Sequence, residues 1–313
     1  VSQTHAREVR DVLDVGSGES GHRRMILNGM PTIRPMLPAD VDAATEMILA
    51  NDWGVRRDWL SFAATQPACS PLVAEVEGSI VGTGVGTANG PVGWIGTIFL
   101  APAWRGQGLG RALTQEIIDR LDAAGCRTLL LVATAAGRRL YSTMGFEAQT
   151  RYRILEASGR PPASLAPASS AGSGVAVRPF AAADLEAMLE IDREATGEDR
   201  GHAIRRLATP ETAKVAIDAA GAIAGFVIRA PWGGGATVAR TVDAALALID
   251  ARRRTAGPAG RVLVGLLDEN AAGLQRLADL GFTERWAAPR MVRGAPLVWH
   301  PDRIWGQFNH ALG

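Results

Sequence analysis

The chain holds 313 residues, 47% of them hydrophobic, and its 33 basic and 32 acidic residues leave a net charge of +1. That is room for two domains of ordinary size, with no apolar run of the roughly 18 residues that would predict a membrane span. Charge balances in each half, 11 basic to 12 acidic over 31–157 and 17 to 16 over 175–313, which argues against a nucleic-acid partner.

Residues 1–30 read as an extension whose start, "VSQTHAREVRDVLD", is charged and lacks the apolar stretch of a secretory signal. Cys69 and Cys126 are too few for a disulfide framework, and together these features predict a cytoplasmic protein. Within the extension, "VLDVGSGESG" (Val12–Gly21) has the Gly-x-Gly-x-x-Gly spacing of an S-adenosylmethionine-dependent methyltransferase. That motif works only at the end of a strand leading into a helix. Here Gly29 and Pro31 interrupt the residues after the motif, and no such unit develops.

From Thr32 the pattern becomes regular. Thr32–Met36 reads as a short strand followed by helical stretches, and "PLVAEVEGSIVGTGVG" as two strands joined at a Glu77-Gly78 hairpin turn. "VGWIGTIFL" (Val92–Leu100) reads as a further strand, entering the loop of "APAWRGQGLGRAL" (Ala101–Leu113). In the helix beyond, Leu109, Leu113, Ile117 and Leu121 fall four apart on one face, and Gly125 is placed to cap its end. "RTLLLV" (Arg127–Val132) reads as a buried strand, followed by a short helix ending at Gly145 and strands within "FEAQTRYRILE". Trp53, Trp59 and Trp94 either line an apolar acceptor pocket or, more commonly for such residues, pack in the core or on the surface.

The pattern then repeats. Ile33-Arg34-Pro35 and Asp40 return as Val177-Arg178-Pro179 and Asp184, "EGSIVG" as "AGAIAG", and "AAGRRLYSTMGF" as "AAGLQRLADLGF". The order is the same and the offset holds within about ten residues, as in a duplicated domain. Between the copies, the Pro-, Ser-, Ala- and Gly-rich run through Gly174 reads as a linker. The predicted domains are 31–157 and 175–313, with a flexible linker at 158–174.

Backbone N–H groups at a helix start have no partner inside the helix and lie at the positive end of its dipole. A loop that converges them binds phosphate. Gly106, Gly108 and Gly110 open the approach and tolerate unusual backbone angles, and Arg105 and Arg111 add charge. The plainer alternative is a glycine-rich turn that only joins a strand to a helix.

Arg105-Gly106-Gln107-Gly108-Leu109-Gly110 resembles the Arg/Gln-x-x-Gly-x-Gly/Ala signature of the GNAT family of acetyl-CoA-dependent N-acetyltransferases. Tyr141 to Phe146, "YSTMGF", resembles that family's Tyr-x-x-x-Gly-Phe segment. The resemblance covers 31–157 well and 175–313 loosely. It implies an α/β (α+β) fold of two tandem GNAT domains. Each would be a mixed, mostly antiparallel twisted sheet flanked by helices and splayed at the acyl-CoA site. It further implies that the amides of Gly106, Gln107, Gly108, Leu109, Gly110 and Arg111 grip the pyrophosphate of acetyl-CoA, or of another acyl-CoA. The backbone of Ile98, Phe99 and Leu100 would pair with the pantetheine arm. Thr134 stands where the family often has asparagine. Arg138 either reaches the cofactor or is a solvated surface arginine. No His/Cys cluster has the spacing of a metal site.

Attack of a neutral amine on a thioester needs a proton for the departing thiolate, and tyrosine, neutral at pH 7, can give one. Of the two tyrosines, Tyr141 and Tyr152, Tyr141 occupies the position the family assigns to the acid. The other reading is a core tyrosine packed on its helix. No base is assigned: no histidine lies between His22 and His202, which leaves Asp52, Asp58, Glu75, Glu77 or a water relay. Cys126 has no histidine in its domain to activate it and is expected to be a bystander.

The second copy loses these parts. Gly82 to Arg127 spans 45 positions but the matching Gly225 to Arg261 only 36, and the glycine-loop signature is missing. Leu277 falls opposite Tyr141, while Asn270 stands at the family's asparagine position. The expectation is one N-acetyltransferase site, in the first copy. It would transfer an acetyl group to a primary amine, of a small molecule or a protein, by direct attack in a ternary complex. The competing class is a non-catalytic acyl-CoA-binding or sensing protein.

Overall fold

A computed structural model describes residues 29–161 and 174–313. The Val12–Gly21 motif and most of the predicted linker lie outside the described residues. The chain divides into two units, one of Val1–Thr87 with Ile95–Ala124, the other of Ala88–Trp94 with Gly125–Gly313.

The first unit contains β1 (Thr32–Pro35), α1 (Val41–Leu49), α2 (Arg57–Ala64), β2 (Cys69–Val76), most of β3 (Ser79–Asn89) and of β4 (Val92–Leu100), and α3 (Leu109–Ala123). The sheet order is β1-β2-β3-β4. Glu77 and Gly78, at φ 48° and 79°, make the tight β2–β3 turn that two left-handed residues allow. The glycines of β3 seat the helix: a Cβ at Gly84 would stand 2.8 Å from Ile117 Cδ1, and one at Gly86 2.6 Å from Ile117 Cγ2. The predicted stripe Leu109, Leu113, Ile117 and Leu121 is buried. Gly125, at φ 86°, follows the last turn as the left-handed residue that ends a helix.

In the second unit, β5 (Thr128–Val132), α4 (Ala135–Ser142) and β6 (Glu147–Ser158) are followed by β7 (Ala176–Pro179), α5 (Leu185–Thr196), α6 (Gly201–Leu207), β8 (Ala213–Ile217) and β9 (Ile223–Ile228). Then come β10 (Thr237–Ala239), α7 (Val242–Ala256), β11 (Arg261–Leu267), α8 (Ala271–Asp279), β12 (Thr283–Gly294) and β13 (Ile304–Gly306). One sheet runs β7-β8-β9-β10-β13. The other exchanges strands between the sequence copies. β12 lies between β5 and β6, from Arg290 opposite Val132 to Gly294 opposite Thr128, while β6 lies between β12 and β11, with Tyr152 opposite Leu267. "FEAQTRYRILE" is thus part of one 12-residue strand. Its partners come from residues 261–294, a pairing that alternation along the chain does not specify.

The repeated sequence motifs have a common structural use. Arg34 donates to Asp40 through Nη1 (2.6 Å) and Nη2 (3.0 Å), and Asp40 also accepts from Leu37 N at 2.7 Å. Arg178 donates to Asp184 through the same two atoms, each at 2.6 Å, and Asp184 accepts from Ala181 N at 2.7 Å. Each clamp fixes the strand that opens its copy to the start of the next helix. The guanidinium holds both carboxyls below the usual carboxylate range. A carboxylate whose pKa folding lowers stabilises above its unfolded pKa, and that stability is lost as pH falls through the lowered value. Asp40→Asn is therefore expected to cost about 1–2 kcal/mol at neutral pH, after screening at this half-exposed site. At acid pH, once the pH has fallen through the lowered Asp40 value and the carboxyl is protonated, the cost shrinks. Urea unfolding of both proteins at the two pH values reads this directly.

After β12 the chain is held by burial. Ile304, Trp305, Phe308 and Leu312 are 0–2% exposed, and burial of an aliphatic or phenylalanine side chain stabilises by roughly 1.5–3 kcal/mol. Asn89 Nδ2 donates to Leu312 O (2.9 Å) and to Glu198 Oε2 (2.7 Å), which also accepts from Trp94 Nε1 at 2.9 Å. Burial pushes Glu198 up from its ordinary value.

Candidate active site

The glycine loop lies in the first unit. A single turn at Pro102–Trp104, with Trp104 buried, carries the chain from β4 to Gly106 and Gly108. These stand at φ 74° and 84°, and a Cβ on either would meet nothing within 4 Å. Their backbone angles favour glycine, and the space in front of them is open. Gly108 is the N-cap residue of α3, whose first amides have no partner within the helix. Gly106, Gln107 and Gly108 donate no backbone hydrogen bond among the described residues. Amides facing open space at the positive end of a 15-residue helix suit the pyrophosphate of an acyl-CoA.

The neighbouring side chains brace the loop. Arg105 Nε donates to Leu100 O at 3.0 Å, and Gln107 Nε2 to Ala103 O at 2.7 Å. In the first turn of α3, Arg111 is exposed and Leu109 is buried.

Ile98, Phe99 and Leu100, expected to carry the pantetheine arm, are half-buried at the end of β4. The parallel ladder of β4 with β5 is confined to Val92–Trp94. Just before Ile98, Thr97 stands at φ 56°, a genuine outlier for a β-branched residue. Two side chains hold it there: Trp59 Nε1 donates to Thr97 Oγ1 at 2.9 Å, and Thr83 Oγ1 to Thr97 O at 3.0 Å. Strain of this kind persists only where surrounding bonds over-determine it. Thr97 is the feature that sequence reasoning missed; no residue preference marks a left-handed threonine within a strand. Of the tryptophans, Trp59 is in the core and Trp53 lies tilted on Phe99 with ring centroids 4.6 Å apart.

Thr134, Arg138 and Tyr141 lie in the second unit, on α4. Thr134 caps the helix, accepting from Gly137 N at 3.1 Å, and Arg138 is exposed. Tyr141 is 9% exposed, edge-on to Phe146. Its ring lies against Gly137, where a Cβ would stand 2.9 Å from Cε2. Burial pushes its pKa up to about 12. Gly137→Ala removes the room for the ring. The substitution favours the helix itself by about 1 kcal/mol, so a protein no less folded by circular dichroism yet with markedly lower kcat is the expected result. Cys126 is buried, with its thiol directed at Gly90 O.

The corresponding positions of the second copy differ. Thr241 Oγ1 accepts from Ala244 N at 3.2 Å and so caps the start of α7. Leu277 is fully buried in the core. Asn270 Oδ1 accepts from Gly273 N at 2.9 Å, taking the capping place that Thr134 has in the first copy. Among the described residues no group of three or more His, Cys, Asp or Glu residues is placed to hold a metal ion, and no helix is long and apolar enough to cross a membrane.

Comparison with known proteins supplies the lineage. Residues 38–146 match the profile of the acetyltransferase (GNAT) family, and residues 188–306 that of an acetyltransferase (GNAT) domain. A search of curated protein sequences finds no relative. Among solved structures, a Pyrococcus horikoshii protein classed with the acetyltransferases is 19% identical, covers 95% of this chain and 100% of its own, and superposes with a TM-score of 0.74. A GCN5-related N-acetyltransferase from Sphaerobacter thermophilus is 19% identical over 86% of this chain and 98% of its own, at 0.59. A tandem GNAT protein from the clavulanic acid biosynthesis pathway is 16% identical over 85% and 99%, at 0.60. At these identities the likeness is one of fold. The two profile matches, in the order of the two sequence copies, place the chain in the GNAT acetyltransferase family, with two domains of that family in tandem.

Proposed function

We propose that the first GNAT domain transfers an acetyl group from acetyl-CoA to a primary amine by direct attack in a ternary complex. The observation that carries this reading is the open glycine cradle, Gly106 and Gly108 with left-handed backbone and free space ahead of α3. In this reading the amides of Gly106 to Arg111 hold the pyrophosphate, and the backbone of Ile98 to Leu100 receives the pantetheine arm. Thr134 and Arg138 enter the reading as cofactor contacts on the strength of the family resemblance.

The amine nitrogen attacks the thioester carbonyl; a C–N bond forms and the C–S bond breaks. Tyr141 gives its proton to the departing sulfur, and the proton shed by nitrogen restores the tyrosine through water. The amine belongs to a small molecule or to a protein terminus, with no nucleic acid or membrane involved, and the reaction runs in the cytoplasm without a metal.

Release of free thiol from acetyl-CoA, measured across a panel of amines, tests the reading. Release that requires an amine supports transfer. Binding of acetyl-CoA with no amine-dependent release supports a sensor instead.

A further inference from the structure

We propose that the second GNAT domain is closed to acyl-CoA by its own chain, with β13 lying where a pantetheine arm would lie. The inference rests on the reading that the first domain receives this arm along β4. The two strands correspond: β4 follows β3 and leads into α3, and β10 follows β9 and leads into α7, in the same order after the repeated "EGSIVG" and "AGAIAG". β4 keeps a ladder with the next strand only at Val92–Trp94. β10 instead carries an added antiparallel strand on the edge away from β9, with Thr237 opposite Gly306 and Val238 opposite Ile304.

The side chains complete the substitution. In the first copy the Tyr141 ring lies against Gly137; in the second, Leu277 has no ring to offer, and Trp305 of β13 fills the place. A Cβ on Gly273, the counterpart of Gly137, would stand 2.7 Å from Trp305 Cη2. The polar groups at this spot are left without partners among the described residues: Thr237 Oγ1, Asn270 Nδ2 and Trp305 Nε1 are buried and make no hydrogen bond. A buried orphan polar group calls for an explanation, and here three of them gather at the edge that β13 occupies. Thr241, capping α7 in place of an open glycine loop, leaves no second cradle. The complete burial of Trp305, and of Phe308 and Leu312 after it in the chain, makes β13 a fixed occupant rather than a removable strap.

Amide hydrogen exchange of the full chain, with and without saturating acetyl-CoA, tests this. Peptides covering 98–111 are expected to gain protection, while those covering 237–239 and 304–306 stay protected and change by less than about twofold. Faster exchange at 304–306 on addition of acetyl-CoA overturns the proposal, because the strand would have been displaced. No change at 98–111 overturns the underlying reading of the first domain, and the inference falls with it.

Discussion

Tyr141→Phe is expected to lower kcat by about 10²–10⁴ with little change in acetyl-CoA affinity. The ring keeps its edge contact with Phe146 and its place against Gly137, so the substitution removes only the hydroxyl. The size of the effect follows from when the proton moves. With its pKa pushed up to about 12, the phenol is a weaker acid than a free thiol near 8.5, and complete transfer to a thiolate is uphill by about 5 kcal/mol. In the proposed mechanism the hydroxyl would therefore act as a hydrogen-bond donor that strengthens as charge builds on sulfur, giving up its proton only as the bond breaks. The same shift fixes the pH dependence. A phenol raised to about 12 stays protonated through pH 10, so the wild-type rate should show no alkaline loss below about that pH. Steady-state kinetics from pH 7 to 10 read both features. An unchanged kcat in Tyr141→Phe removes the residue from the mechanism.

Gly108→Val is expected to weaken acetyl-CoA binding by about 10–100-fold, since a left-handed backbone costs a branched residue about 1–2 kcal/mol and the side chain projects into the open cradle. Gly221 provides the matched control. It has the same φ of 84° and the same open surroundings, in the turn between β8 and β9. Gly221→Val should lower stability by a similar amount and leave affinity unchanged. Isothermal titration of both variants separates backbone strain from obstruction. Equal losses of affinity would mean that strain alone is responsible and that the loop does not hold the cofactor.

The sequence made legible whatever is encoded locally. The Leu109–Leu121 stripe, the Glu77-Gly78 hairpin and the Gly125 cap each depend on a few neighbouring residues, and all three appear in the structure. The repeated Arg–Asp pairs were visible as a pattern, though their role as clamps needed the hydrogen bonds. What escaped was non-local. Which strand pairs with β6 depends on contacts across more than a hundred residues, and two similar copies give each strand two candidate sheets. Thr97 is held left-handed by Trp59 and Thr83, 38 and 14 residues away. Trp305 gave no signal because its meaning lies in Gly273, which it covers.

If the first domain alone holds acetyl-CoA and the second is closed by β13, as proposed, the number of bound cofactors is the most direct test. Native mass spectrometry of the full chain, titrated with acetyl-CoA, should saturate at one molecule per chain. Two molecules bound with similar affinity would contradict this, because the second would have to bind without a glycine loop and against a strand already in its place.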